Sequence, residues 1–209
     1  KNPTLLGPTT GLEGLFYGPW WYYLLAIPFV FTAGSPTGVA LFIAAMGVAN
    51  IILGFLLGQR MGGKFLGIVY ASIMSVSPFF IHSSSQIWSP NIIPTLVLLV
   101  LFCLVRIVNR DKPSPKAWLT LGLLIALIGE MEIVFGLLFA TSIVISYILF
   151  LRKHIAPKLV GFFSLGILII EAPRILFELR HNFLMTQKIF GFLGSVNSMV
   201  NVRVFTREN

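Results

Sequence analysis

Long apolar runs broken by short polar gaps cover most of this 209-residue chain. A helix that crosses a membrane needs about 20 mostly apolar residues. Runs at residues 36–57, 63–80, 91–108, 118–129, 133–151 and 159–170 therefore predict about six spanning helices. Ser77-Pro78 falls near the end of the second run. Pro94 lies near the start of the third, where proline is tolerated. The stretch from 118 to 151 is apolar except at Glu130-Met131-Glu132 and is too long for one crossing, so it divides there. Its first half and the run at 159–170 are both short, and such helices begin or end at headgroup level.

Residues 15–33 are long enough to span but carry Gly18-Pro19 near their start, Pro28 inside, and a dense cluster formed by Tyr17, Trp20, Trp21, Tyr22 and Tyr23. Trp and Tyr favour the headgroup level, which suggests a helix lying in the interface. On the pattern alone, spanning and interfacial readings both stand. The predicted class is all-α: a single polytopic membrane domain over 1–209. It has an outer loop at 1–14, a helix at 15–33, six crossings within 36–172, and an outer and interfacial segment at 173–209.

The charges follow the gaps. Arg60 and Lys64; Arg106, Arg110, Lys112 and Lys116; and Arg152, Lys153 and Lys158 occupy one alternate set, with Asp111 as their one acid. The other set holds Glu13, Glu130, Glu132, Glu171 and Glu178. Lys and Arg stay cytoplasmic in short loops, so the acidic gaps face outward. A mean hydropathy of +0.91 excludes an ordinary soluble globule. The net charge of +8 does not indicate nucleic acid, because the cations sit beside apolar spans and form no basic face with interleaved aromatics. Cys103 is the one cysteine, which excludes an intrachain disulfide and a cysteine metal site. The chain starts at Lys1 and runs to Arg207-Glu208-Asn209, and is read as an internal piece of a longer membrane protein.

Candidate chemistry gathers on the outer side. A carboxylate among apolar neighbours costs roughly 2.5–3.5 kcal/mol at membrane depth. Glu130 is expected at the water boundary. Glu132 opens the next apolar run and is equally well placed to face a protein cavity. In Ser83-Ser84-Ser85-Gln86-Ile87-Trp88-Ser89-Pro90-Asn91, Trp88 can stack on a sugar or anchor at the interface. The serines are expected to line a solvated loop, and His82 to be a structural group. Arg174, Glu178 and His181 fall four and three apart, on one face of a helix, with Arg180 off that face. Arginine can clamp a phosphate, and Glu or His can move a proton. The bland alternative is a set of ion pairs on a solvated helix. Glu13 lies in a turn-rich loop without a phosphate-loop pattern.

The run Leu6-Gly-Pro-Thr-Thr-Gly-Leu-Glu-Gly-Leu-Phe-Tyr-Gly-Pro-Trp-Trp-Tyr-Tyr resembles the first outer loop and aromatic juxtamembrane helix of the polyprenyl-phosphate-sugar glycosyltransferases of the GT-C fold. These are the protein mannosyltransferase-like, family-39-like enzymes. Ser85 to Asn91 and Pro173 to Phe183 resemble bacterial members of the group. The resemblance implies that residues 15–33 are juxtamembrane and interfacial. It also implies a bacterial or archaeal cell membrane, a polyprenyl-phosphate sugar donor, and a glycan, lipid or protein acceptor reached from the outer face.

The family's general base follows its first membrane helix. No Asp precedes Asp111 here, so that residue is expected upstream of Lys1, and this piece alone is expected to be inactive. Glu13 and Glu132 are the candidate catalytic acids within the chain. Arg174 and Arg180 are the candidate donor-phosphate ligands, with Glu178, His181, Trp88 and Asn91 in support. A family lysine before the aromatic-motif proline is replaced by Gly18. No cofactor is fixed by the resemblance. A divalent metal suits such folds, yet no metal-ligand residues are assigned. The competing classes are a transporter or lipid flippase, which would carry ionisable groups inside broken, repeated helices, and a non-catalytic membrane subunit.

Overall fold

The computed structural model describes residues 4–12, 14–109, 114–146, 157–192 and 194. Among them the regular elements are helical. The only β pairing among the described residues is an isolated bridge between Thr9 and Phe16. The chain divides into two compact units, Trp20–Glu171 and Lys1–Pro19 with Ala172–Asn209.

The larger unit opens with α1 (Trp20–Phe31). Its 12 residues rise about 18 Å, well short of a hydrocarbon core about 30 Å thick. It buries Trp21 and Pro28 and leaves Val30 and Phe31 exposed.

Helix α2 (Pro36–Val76) contains the first two predicted crossings as two arms. The break lies at Gly62 (φ −152°, ψ 24°) and Gly63 (φ 83°, ψ −179°). The second of these conformations is open essentially to glycine alone. The arms then close on each other through small residues. A Cβ on Gly58 would lie 2.8 Å from the Leu66 carbonyl oxygen, and one on Gly67 would lie 2.6 Å from that of Phe55. Further along, Gly54 faces Met74 and Gly47 faces Ser84, so the arms run antiparallel. Gly54 and Gly58 are four apart, the spacing that lets membrane helices approach backbone to backbone. Pro78 starts the short α3 (Pro78–Ser83).

A 3-10 turn over Ser89–Ile92 leads into α4 (Ile93–Val108), and α5 (Pro115–Met131) follows. Helix α5 is the centre of the unit. Trp118, Leu121, Ile125 and Ile128 are buried in one cluster with Ile43, Val100 and Ile107. Its partners along most of its length are other helices.

Glu132 alone separates α5 from α6 (Ile133–Ser146). Its extended backbone (φ −159°, ψ 114°) stops the first helix. Its carbonyl accepts the N–H of Gly136 at 3.0 Å and begins the second. The two helices touch where Gly136 meets Gly129.

The predicted crossing at 159–170 is longer than expected. Helix α7 (Pro157–Arg180) does not end at Glu171-Ala-Pro but continues through Pro173. Proline removes the donor for the Ile169 carbonyl, and a membrane helix tolerates this when neighbours satisfy freed backbone groups. The adjacent Ile170 carbonyl accepts the Trp20 indole N–H at 2.6 Å. Helices α5 and α7 approach through Gly122 and Gly166, with the Phe163 carbonyl against Gly122 and Trp118 edge-on to Phe163.

Among the described residues three helical stretches are long and apolar enough to cross a membrane: Pro36–Val76, Ser89–Val108 and Lys158–Arg180. Large apolar side chains such as Phe65, Val76, Leu137 and Leu168 stand exposed on the helix surfaces. That surface fits a hydrocarbon surround. At the end of the first α2 arm, the Arg60 guanidinium lies 5.0 Å from the ring centre of Phe102, a cation–π contact.

In the smaller unit, residues 7–17 form a hairpin-like loop. Gly7 N–H donates to the Tyr17 carbonyl at 2.8 Å, and Tyr17 N–H donates to that of Pro8 at 2.9 Å. After α7 the chain turns through Asn182 (φ 53°) and Phe183 (φ 59°), and residues 184–192 are helical.

Candidate functional site

The larger unit contains a cavity of about 590 Å³ between the second arm of α2, α3, α4 and α6. Pro90, Ile93, Pro94, Val97, Leu98 and Leu101 form one wall, a single helical face. Phe135 and Phe139 of α6 form another, and Tyr70 and Met74 a third. The lining is apolar except for a few groups, and three of these are sequence candidates: Trp88, Asn91 and Glu132.

Local structure accounts for their meeting. Trp88 precedes the 3-10 turn in an extended conformation and is 60% exposed. Its carbonyl accepts the Asn91 N–H at 3.0 Å, and the Asn91 side-chain amide donates to the Gln86 carbonyl at 2.8 Å. The turn is tied to the end of α5 by the buried Ser89 hydroxyl, which reaches the Met131 carbonyl at 3.4 Å. The next residue is Glu132, at the N-terminus of α6, where a carboxylate is favoured by the helix dipole. The side chain of Glu132 is half-buried.

Glu130 departs from expectation. It is only 1% exposed, carried into the packed interior by α5 rather than left at a water boundary. Of the serines expected in a solvated loop, Ser85 is exposed and Ser83 is not. Ser83 is buried and donates to the Phe79 carbonyl, while Ser84 and Ser85 donate to those of Ile81 and His82.

The smaller unit holds the other candidates. Glu178 is occupied structurally: its carboxylate accepts the Met185 N–H at 2.9 Å, the Thr186 N–H at 3.0 Å and the Thr186 hydroxyl at 2.6 Å. It thereby caps the helical residues 184–192, satisfying donors that a helix start leaves open. His181 lies beyond the end of α7 rather than on its face. Its ring stacks on Phe177 at 4.1 Å between centroids, and Nδ1 sits 2.9 Å from the Phe177 carbonyl oxygen. Arg174 is half-buried one helical turn before Glu178, and Arg180 is exposed in the last turn of α7. Glu13, assigned as a catalytic acid, lies outside the described residues, as do Arg110, Asp111, Lys112, Arg152 and Lys153. Among the described residues no three His, Cys, Asp or Glu side chains gather as a metal-binding group.

Sequence reasoning missed Tyr70, Phe135 and Phe139 as cavity walls, because an apolar residue facing a cavity carries the same signal as one facing lipid. It also missed Asn50, an amide within an apolar run. Asn50 is 5% exposed, and its Oδ1 finds no hydrogen-bond partner.

The fold and this cavity define the class: an all-helical protein with helices fit to cross a membrane. Comparison with protein-family models, curated proteins and solved structures finds no match for this chain.

Proposed function

We propose that this chain is part of a membrane glycosyltransferase that moves a sugar from a polyprenyl-phosphate donor to an acceptor hydroxyl at the outer face of the membrane. The observation that carries the reading is the convergence of Glu132, Asn91 and Trp88 on one apolar cavity within a helical membrane unit. The resemblance of residues 6–23, 85–91 and 173–183 to the GT-C enzymes supports it from the sequence. In this reading six helices cross: the two arms of α2, then α4, α5, α6 and α7, with α1 lying in the interface.

A carboxylate accepts the acceptor's hydroxyl proton as its oxygen attacks the anomeric carbon. The carbon–oxygen bond to phosphate breaks from the opposite face, so configuration inverts and polyprenyl phosphate departs. Among the described carboxylates Glu132 lines the cavity, and this reading gives the role to it. The leaving phosphate gathers charge that arginine stabilises, the part given to Arg174 and Arg180. Trp88 supplies a stacking face for a sugar, and Asn91 a polar edge.

The test uses the full-length protein in vesicles containing a radiolabelled polyprenyl-phosphate sugar. Arg174→Ala and Arg180→Ala are each expected to lower transfer by about 10²-fold or more, the scale of losing one charge-stabilising group. Transfer at the unaltered rate in both variants removes their assignment. Absence of transfer by the intact protein, with any polyprenyl-phosphate sugar, overturns the reading.

A further inference from the structure

The cavity beside α4 ends near the middle of an apolar stretch. That stretch, Ser89–Val108, has 20 residues. At 1.5 Å per residue it is about 30 Å long, the thickness of a hydrocarbon core. The cavity wall on it runs from Pro90 to Leu101, a length of roughly 16 Å. The wall therefore starts at one end of the stretch and covers about half of a hydrocarbon core, which is one leaflet. Opposite it, Phe139 lies nearly two turns into α6, and Tyr70 lies one turn before Met74 on the second arm of α2.

The two side walls belong to helices that pack on different neighbours. Helix α6 closes on α5 through Gly136 and Gly129, while the second arm of α2 closes on the first arm through Gly67 and Gly58. The cavity is the gap left between them, floored by α4. Phe79 of α3 and Val134 and Phe135 of α6 line it and also stand exposed, so it opens to the surroundings on that side. Its volume of about 590 Å³ falls within the usual range for a ligand site, about 300–1,000 Å³. Water would find few polar partners along these walls. A hydrocarbon chain gains dispersion contacts there and leaves no polar group of its own without a partner.

We propose that this cavity is a lipid site that holds one acyl chain of a bilayer glycerophospholipid, entering between α3 and α6 and extending along α4 as far as Leu101. Length selects this occupant. An acyl chain spans one leaflet, as the wall does, whereas a polyprenyl chain would run on past Leu101. The lipid's head group stays with the membrane surface and plays no part in the assignment. The bound chain fills the gap between the second arm of α2 and α6, which α4 alone does not close. The proposal goes beyond the transferase reading, and occupancy of the cavity needs no sugar transfer.

The experiment uses the full-length protein in phosphatidylglycerol nanodiscs doped with a photoreactive phosphatidylglycerol that carries a diazirine at the end of one acyl chain. The protein is extracted and washed in lipid-free detergent before irradiation, which strips loosely held lipid. Crosslinks are mapped by mass spectrometry. Labelling is expected at Leu101, Phe139 and Tyr70, where the chain ends. A second probe with its diazirine beside the ester is expected to shift labelling towards Phe79 and Pro90. Val97→Trp, which fills the cavity, is expected to lower wall labelling about tenfold, equivalent to ~1.4 kcal/mol. Val144→Trp, at an exposed position of α6 outside the cavity, should leave it unchanged. Thermal unfolding shows whether Val97→Trp is folded; if it is not, Leu101→Trp at the exposed end of the wall takes its place with the same expectation. Wall labelling that withstands the substitution overturns the proposal. So does an unlabelled wall, or label confined to outward residues such as Val144 and Leu168. A diazirine-bearing polyprenyl phosphate that labels the wall more strongly than the phosphatidylglycerol probe at equal mole fraction also overturns it, and would assign the cavity to that chain instead.

Discussion

The indole nitrogen of Trp20 donates a 2.6 Å hydrogen bond to the carbonyl oxygen of Ile170, joining the first residue of α1 to a point three residues before Pro173 in α7. The contact spans 150 positions of sequence. It fixes the start of the aromatic helix and supplies a donor to the backbone beside a proline-weakened turn. Trp20→Phe keeps the apolar body and removes the donor. The expected cost is about 0.5–1.5 kcal/mol, the net worth of one such bond. A lower denaturation midpoint in detergent is the predicted result, and an unchanged midpoint would show that the bond is dispensable.

The crossing of α5 and α7 gives a sharper contrast. Gly122 lies against the carbonyl of Phe163, with no room for a side chain, while Gly161 in the same helix as Phe163 has open space around its Cβ position. Gly122→Ala must push two backbones apart, and a cost of about 1–3 kcal/mol is expected from overpacking. Gly161→Ala should be neutral or stabilising, by about 0.5–1 kcal/mol, because alanine loses less entropy in a helix. Thermal unfolding of both variants checks the pair. Equal sensitivity at the two positions would contradict the close approach of the helices.

Glu178 is predicted to serve structure before chemistry. Glu178→Ala leaves the Met185 and Thr186 amides without their carboxylate. Loss of such a cap costs about 0.5–2 kcal/mol. Amide hydrogen exchange at Met185 and Thr186 should accelerate, up to roughly tenfold if the cost reaches 1.4 kcal/mol. Protection that survives the substitution would refute the capping role.

The proposed six-crossing arrangement is open to direct labelling. With Cys103 replaced by Ser, single cysteines at Gln86, Lys64 and Lys116 are introduced in turn. A membrane-impermeant maleimide is expected to react from outside intact cells at position 86 and only after permeabilisation at 64 and 116, following the basic-side rule. Reaction of position 64 from outside would reverse the orientation or remove a crossing.

Much of this architecture is legible along the chain because membrane helices announce themselves by length and apolarity. Ser77-Pro78 marks a helix boundary, and the Glu130-Met131-Glu132 interruption marks the α5–α6 joint, which falls at Glu132. Pro173 misled, since proline usually ends a helix and here the helix runs through it. The arginine, glutamate and histidine spacing was correct as numbers, yet it could not reveal that the helix ends at Arg180 and that Glu178 reaches forward to residues 185 and 186.

By itself the sequence determined an all-helical chain with stretches long and apolar enough to cross a membrane, because hydropathy and length act locally and need no partner. Only the tertiary structure decided which apolar faces meet each other and which stand exposed, since protein and hydrocarbon surrounds reward the same side chains. It therefore decided that Trp88 and Asn91, 44 and 41 positions before Glu132, line one cavity with it. The physical reason is packing. The Ser89 hydroxyl docks on the end of α5, Gly129 lets α6 close against it, and these contacts between distant residues create the site.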